Sequence, residues 1–192
     1  MPARAIVLSA VLVLQAGTAF ATGEIENLIT DADRTRLDGY EATRKEALAE
    51  ARDMGQPGDL ATLEAMMSGE PQSFSTADLT GEWKCRTAKA GGLAGLVIYG
   101  WFNCRVTDDG SGWRLEKLSG SQRTTGRFFT DSDTRLIYLG SFYVSREDPP
   151  AYGSGPQNDQ VGYAYLTAAD HWRIEFPAPT YESKLDILEL RR

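Results

Sequence analysis

His171 is the single histidine of this 192-residue chain, and it stands in the hairpin sequence Ala169-Asp170-His171-Trp172. A hydrolytic relay of hydroxyl, imidazole and carboxylate needs three such groups to converge. The chain offers no G-x-S-x-G nucleophile turn, and Gly153-Ser154-Gly155 reads as loop punctuation. A zinc site needs several His or Cys ligands, more than one histidine and a paired Cys85 and Cys104 can supply. The acidic pairs Asp108 with Asp109 and Asp131 with Asp133 fall in turns, where short carboxylates bond their own backbone. These residues predict no enzyme, no metal site and no cofactor.

Binding chemistry is better represented. The stretch Ser121-Gln122-Arg123-Thr124-Thr125-Gly126-Arg127 is polar on both faces of a strand. If Arg123, Thr125 and Arg127 face the inside of a barrel, they offer donors to a small polar or anionic ligand. The same polarity would also protect an outer edge strand from aggregation. Tyr138, Tyr163 and Tyr165 add amphipathic rings, which serve equally well as plain core. The candidate ligand-binding residues are therefore Arg123, Thr125, Arg127, Tyr138 and Tyr163. The proline- and glycine-rich loop 145–159 is long for a hairpin connection. It supports an alternative function, an inhibitor or adaptor that binds another envelope protein through this loop.

The elements that must position these groups follow from periodicity. From residue 79 onward the pattern is short alternating runs separated by Gly-, Asp- and Pro-rich turns. In one of them Trp113, Leu115 and Lys117 share a face opposite Arg114 and Glu116. Eight candidate strands with short sequential connections predict a mainly β domain, an antiparallel eight-stranded lipocalin-like barrel over 79–192. A two-sheet sandwich is the competing architecture. Residues 22–70 form an N-terminal helical segment: one helix from the Thr30 cap over 31–54 to Gly55, then a shorter one ending at Met67. Residues 71–78 read as a linker.

Residues 1–21 have the form of a secretory signal peptide: Arg4, an apolar run over 5–14, then Ala19-Phe20-Ala21. The apolar run is too short for a span of roughly 20 residues, so the mature chain is not expected to cross a membrane by a helix. A periplasmic or secreted location follows, and in that oxidising space Cys85 and Cys104 are expected to form a disulfide across the first strand pair. The formal net charge is −7. Its excess is N-terminal: 22–80 holds 13 acidic and 5 basic residues, whereas 81–192 balances 14 against 14. Nucleic acid is disfavoured as a partner, because such binding neutralises phosphates. The split also predicts that the acidic helices dock beside Lys84, Arg86, Arg105 and Arg114.

Gly81-Glu82-Trp83 resembles the G-x-W of lipocalins and of small periplasmic barrel inhibitors of proteases. That resemblance implies a Trp83 packed across the closed end of a barrel. Four blocks, at 79–86, 120–124, 133–140 and 173–179, resemble a domain-of-unknown-function family of secreted or periplasmic proteins of Gram-negative bacteria. This likeness covers 79–192 and brings a shared domain and compartment, with no catalytic or binding residues to carry over.

Overall fold

Alternating strands can each bury one face and leave no raw edge only if the sheet closes on itself. The computed structural model has that closure. It describes residues 22–192, so the signal peptide expected over 1–21 lies outside the described residues. Nine strands follow one another: β1 (Gly81–Ala90), β2 (Leu96–Ile98), β3 (Phe102–Asp108), β4 (Trp113–Lys117), β5 (Gln122–Ser132), β6 (Arg135–Val144), β7 (Asp159–Ala168), β8 (His171–Pro177) and β9 (Leu185–Arg191). From β3 to β9 each strand pairs antiparallel with the next, and β9 pairs back onto β1. β2 and β3 pair with opposite ends of β1. They act as one strand interrupted at 99–101, and the result is a closed eight-stranded antiparallel barrel.

Register decides which side chains enter. Trp83 lies opposite Cys104 and Cys85 opposite Phe102, so the two cysteines share the inner face and meet on a diagonal. They form a disulfide with Cα atoms 5.9 Å apart, fully buried in the barrel core. Closing a loop of 19 residues in this way is worth roughly 3 kcal/mol. The same parity brings Leu115, Phe128, Tyr138, Ile174 and Leu188 into one interior cluster.

One end of the barrel is packed shut. Trp172 sits there with Trp83 (ring centroids 5.8 Å apart) and Phe128 (5.3 Å) against it. Phe74 and Leu79, from the chain just before β1, are buried in the same cluster. The Trp83 indole N–H donates to the Leu79 carbonyl at 2.7 Å, and the Arg192 guanidinium covers the ring at 4.2 Å. Trp83 thus occupies the closed end, as the G-x-W likeness implied. The stretch expected as a linker, 71–78, contributes Phe74 to this plug and bridges β7 through Gln72 and Leu166.

Four helices coat the outside: α1 (Thr22–Leu28), α2 (Asp31–Asp38), α3 (Tyr40–Met54) and α4 (Pro57–Met67). None among the described residues is long and apolar enough to cross a membrane. The Thr30 hydroxyl caps α2, accepting from the Asp33 N–H at 3.3 Å. The single helix expected over 31–54 is broken at Gly39, the C-cap of α2 and N-cap of α3. Glycine is the weakest helix former after proline, and here each half packs on a different part of the barrel. α2 lies against β7, whereas α3 lies against β1, β2, β8 and β9. Ala47, Leu48 and Ala51 of α3, with Leu63 and Met66 of α4, pack on Ala88, Ala90, Leu185 and Ile187.

The ion pairs of this outer layer differ from the expected ones. Glu46 and Glu50 of α3 both hold Lys184, each at 2.5 Å, and Arg44 holds the fully buried Glu175 at 2.7 Å. Lys84 donates to Asn103, Arg86 pairs with Glu189, Arg105 with Glu82, and Arg114 donates to Thr125. The cause is the sheet itself. Arg86 stands directly opposite Glu189, and Arg105 opposite Glu82, on neighbouring strands. Such cross-strand partners are nearer than any helix.

Candidate ligand-binding site at the open end of the barrel

At the end away from the tryptophans, the inward-facing residues turn polar. β1 continues its inner phase from Trp83 and Cys85 to Thr87 and Lys89. β4 continues from Trp113 and Leu115 to Lys117, and β9 adds Asp186 opposite Lys89. These residues, with Gln122, Thr124 and Gln160, line a cavity of about 80 Å³. Phe142, Phe176 and Leu188 form its apolar wall, and Arg36 and Arg123 stand at its edge. Pro177 at the end of β8 and Pro179, Thr180 and Tyr181 of the segment joining it to β9 close over one side. Two non-glycine residues there, Ala178 and Glu182, hold φ of 46° and 70°. Such conformations persist only where the surroundings enforce them.

The two lysines have different surroundings. Lys89 pairs with Glu182 at 2.8 Å and lies 3.9 Å from Asp186. Lys117 is 7 % exposed and forms no ion pair or hydrogen bond with any described residue. Its ammonium stands 4.2 Å from the Phe102 ring centroid. Burial pulls Lys117 down to about 8, aided by the charges of Lys89 and Arg123 and opposed by Asp186. Burial pushes the Asp186 carboxyl up to about 6, against the pull of Lys89 and of the Ser183 hydroxyl that donates to it at 2.5 Å. The buried amide oxygen of Gln160 also has no partner among the described residues.

The residues singled out from sequence fare differently. Tyr138 is inside and fully buried, and its hydroxyl shares a 2.7 Å hydrogen bond with Thr124 on the cavity wall. Arg123, on the outward phase of β5 and not inside the lumen as expected, reaches only the cavity edge, where its Nε donates to the Gly120 carbonyl at 3.2 Å. Thr125 and Arg127 do not enter the lumen, contrary to expectation. Leu115 pairs with Gly126 and Phe128 with Tyr138, so the even-numbered residues of β5 point inward and Thr125 and Arg127 outward. Thr125 accepts from Arg114, Arg127 grips Asp109 and Ser111 in the β3–β4 turn, and both border an outer groove of about 390 Å³ beside Leu28 and Tyr152. Tyr163 is outside as well, with Tyr40 edge-on at 4.9 Å and Arg135 over its face at 4.2 Å. His171 begins β8, its Nδ1 2.8 Å from the Thr167 hydroxyl and its Nε2 3.0 Å from the fully buried Glu189.

The loop 145–159 is fastened down over its second half. The Tyr152 hydroxyl donates to Asp33 at 2.7 Å, and Arg36 donates to the carbonyls of Pro156 and Asp159 at 3.0 and 2.9 Å. Ser141 donates to the Pro150 carbonyl at 2.7 Å.

Fold and site together define a closed eight-stranded antiparallel barrel, solid at one end and holding a small cationic cavity at the other. The chain belongs to the family described as a domain of unknown function, DUF4893, whose model matches residues 26–190. The match takes in the helical coat as well as the barrel, and so extends well upstream of the likeness read at 79–192. No curated protein and no solved structure matches the chain.

Proposed function

We propose that this protein binds a small ligand carrying an anionic or carbonyl oxygen at the open end of its barrel, and that it works outside the cytoplasm. It acts as a binding protein rather than an enzyme. One observation carries the reading: Lys117 is buried on the cavity wall with no ion pair or hydrogen bond among the described residues, and Asp186 acts on it only across the cavity. A buried charge without a direct hydrogen-bond partner is costly, so an oxygen atom placed against it gains more than it would in water. The disulfide favours an oxidising compartment. The inhibitor or adaptor alternative draws less support, because much of the 145–159 loop is tied to α2 and β6.

Native mass spectrometry of the exported protein, purified without denaturant, should show added small-molecule mass that the variant K117M lacks. Calorimetry with propionate as a probe anion should show binding that K117M weakens roughly tenfold or more, the worth of one charge-assisted hydrogen bond. Equal binding by wild type and K117M would refute the reading.

A further inference from the structure

A lysine inside an apolar barrel serves either as a fixed charge or, once deprotonated, as a nucleophile. The geometry separates the two lysines of this cavity. Lys89 already has Glu182 and Asp186 beside it, which hold it as a cation. Lys117 has only the face of Phe102, and its amine shares the cavity with the Asp186 carboxyl. An unpaired amine beside a carboxyl group is the pairing that carbonyl condensation needs: one attacks the carbon, the other delivers a proton to the departing oxygen.

We propose that Lys117 captures a small 2-oxo acid as a reversible imine, an inference that rests on the binding reading above. The neutral Lys117 amine adds to the carbonyl carbon to give a carbinolamine. The nitrogen then forms a double bond to that carbon as the former carbonyl oxygen, protonated through Asp186, leaves as water. Hydrolysis reverses each step, and no oxidant or reductant takes part. Lys89 inside the cavity and Arg123 at its edge suit the ligand carboxylate, while Phe142, Phe176 and Leu188 suit a short apolar substituent. A cavity of about 80 Å³ limits the ligand to a few heavy atoms. The depressed Lys117, at about 8, and the raised Asp186, at about 6, suit these two roles near neutral pH.

The test is reductive trapping on the exported, full-length chain with pyruvate and sodium borohydride, followed by peptide mass mapping. A single adduct should form on Lys117, roughly tenfold or more faster than on the exposed Lys45 and Lys84, because a larger fraction of its amine is neutral. The rate should rise through about pH 8, where Lys117 loses its proton among Asp186 on β9, Lys89 on β1 and Arg123 on β5. K117R, shown by thermal melting to be folded, should form no adduct at that position, D186N should slow trapping, and propionate should protect the wild type. Trapping on Lys117 no faster than on the exposed lysines overturns the proposal. A protein that binds propionate yet gives no Lys117 adduct overturns the imine and leaves the binding reading standing, whereas one that does neither removes both.

Discussion

Lys117 is a residue that the fold holds at a loss. Its charge is desolvated, and the Phe102 face returns only part of what water gave. A methionine of similar length should pack against the same wall with no charge to desolvate. K117M is therefore expected to raise stability by about 1–3 kcal/mol at pH 7, read as a higher midpoint in urea. A variant that binds less and melts later separates a functional group from a structural one. Unchanged or lowered stability would mean that Lys117 contributes to the fold through partners of its own. Glu175 is the contrasting case. It is buried more completely, yet Tyr40, Arg44 and Arg173 all donate to it at 2.7–2.9 Å. Such a fully satisfied carboxylate anchors α3 to β8 and asks for no ligand.

At the scale of elements, β5 and β6 show how a cavity wall is built. Gly126 and Gly140 pair across these strands on the inner face, and the Tyr138 ring lies over both. With no Cβ at either position the ring can lie flat and bring its hydroxyl to Thr124. A Cβ on Gly140 would meet the Tyr138 ring and stand 2.5 Å from the Thr125 carbonyl. G140A is expected to destabilise the barrel by about 1–3 kcal/mol and to disturb the Thr124 side of the cavity. Denaturant unfolding measures the first effect, and loss of propionate binding in the folded variant measures the second. β1 and β4 share another feature: each carries an inward tryptophan in its first half and an inward lysine at or next to its end. Each strand thus runs from plug to cavity, and the barrel's two ends differ because its strands do.

At the scale of the molecule, acid stability rests on carboxylates that the closed sheet buries. Burial alone would raise Glu189, but His171, Arg86 and Arg191 outweigh it and hold its carboxyl down to about 2. Between pH 4.5 and 2 the unfolded chain therefore binds more protons at this site than the folded chain does. The stabilisation is complete above pH 4.5 and disappears as pH falls toward 2, with a magnitude on the order of 3 kcal/mol. E189Q should be less stable than wild type at pH 7 and should close that gap as the pH approaches 2, as followed by thermal melts. A parallel pH dependence of the two proteins would show that the Glu189 charge is not what stabilises the barrel. Alternation and short turns were enough to read the eight staves, and the cysteine positions on adjacent strands were enough to read the disulfide. The sequence alone did not show that the helix over 31–54 divides at Gly39, because that depends on where each half finds an apolar surface. Nor did it show that 71–78 plugs the barrel, because Phe74 has no periodic context to mark it.

The amino-acid sequence by itself determined that the strands alternate, that they are sequential and antiparallel, and that two sulfur atoms join the first pair. Those properties are local, set by a period of two and by turn chemistry within a few residues. Which face of each strand points inward was decided only by closure of the barrel. In β5 both faces are polar, so no hydrophobic signal distinguishes Arg123, Thr125 and Arg127 from Gln122, Thr124 and Gly126, and a register shift of one residue exchanges the two sets. Pairing with Leu115 on one side and Tyr138 on the other selected the second set. The site therefore formed around Lys117, a lysine in the apolar phase of its own strand, with neighbours that the chain brings together from β1, β5, β7 and β9.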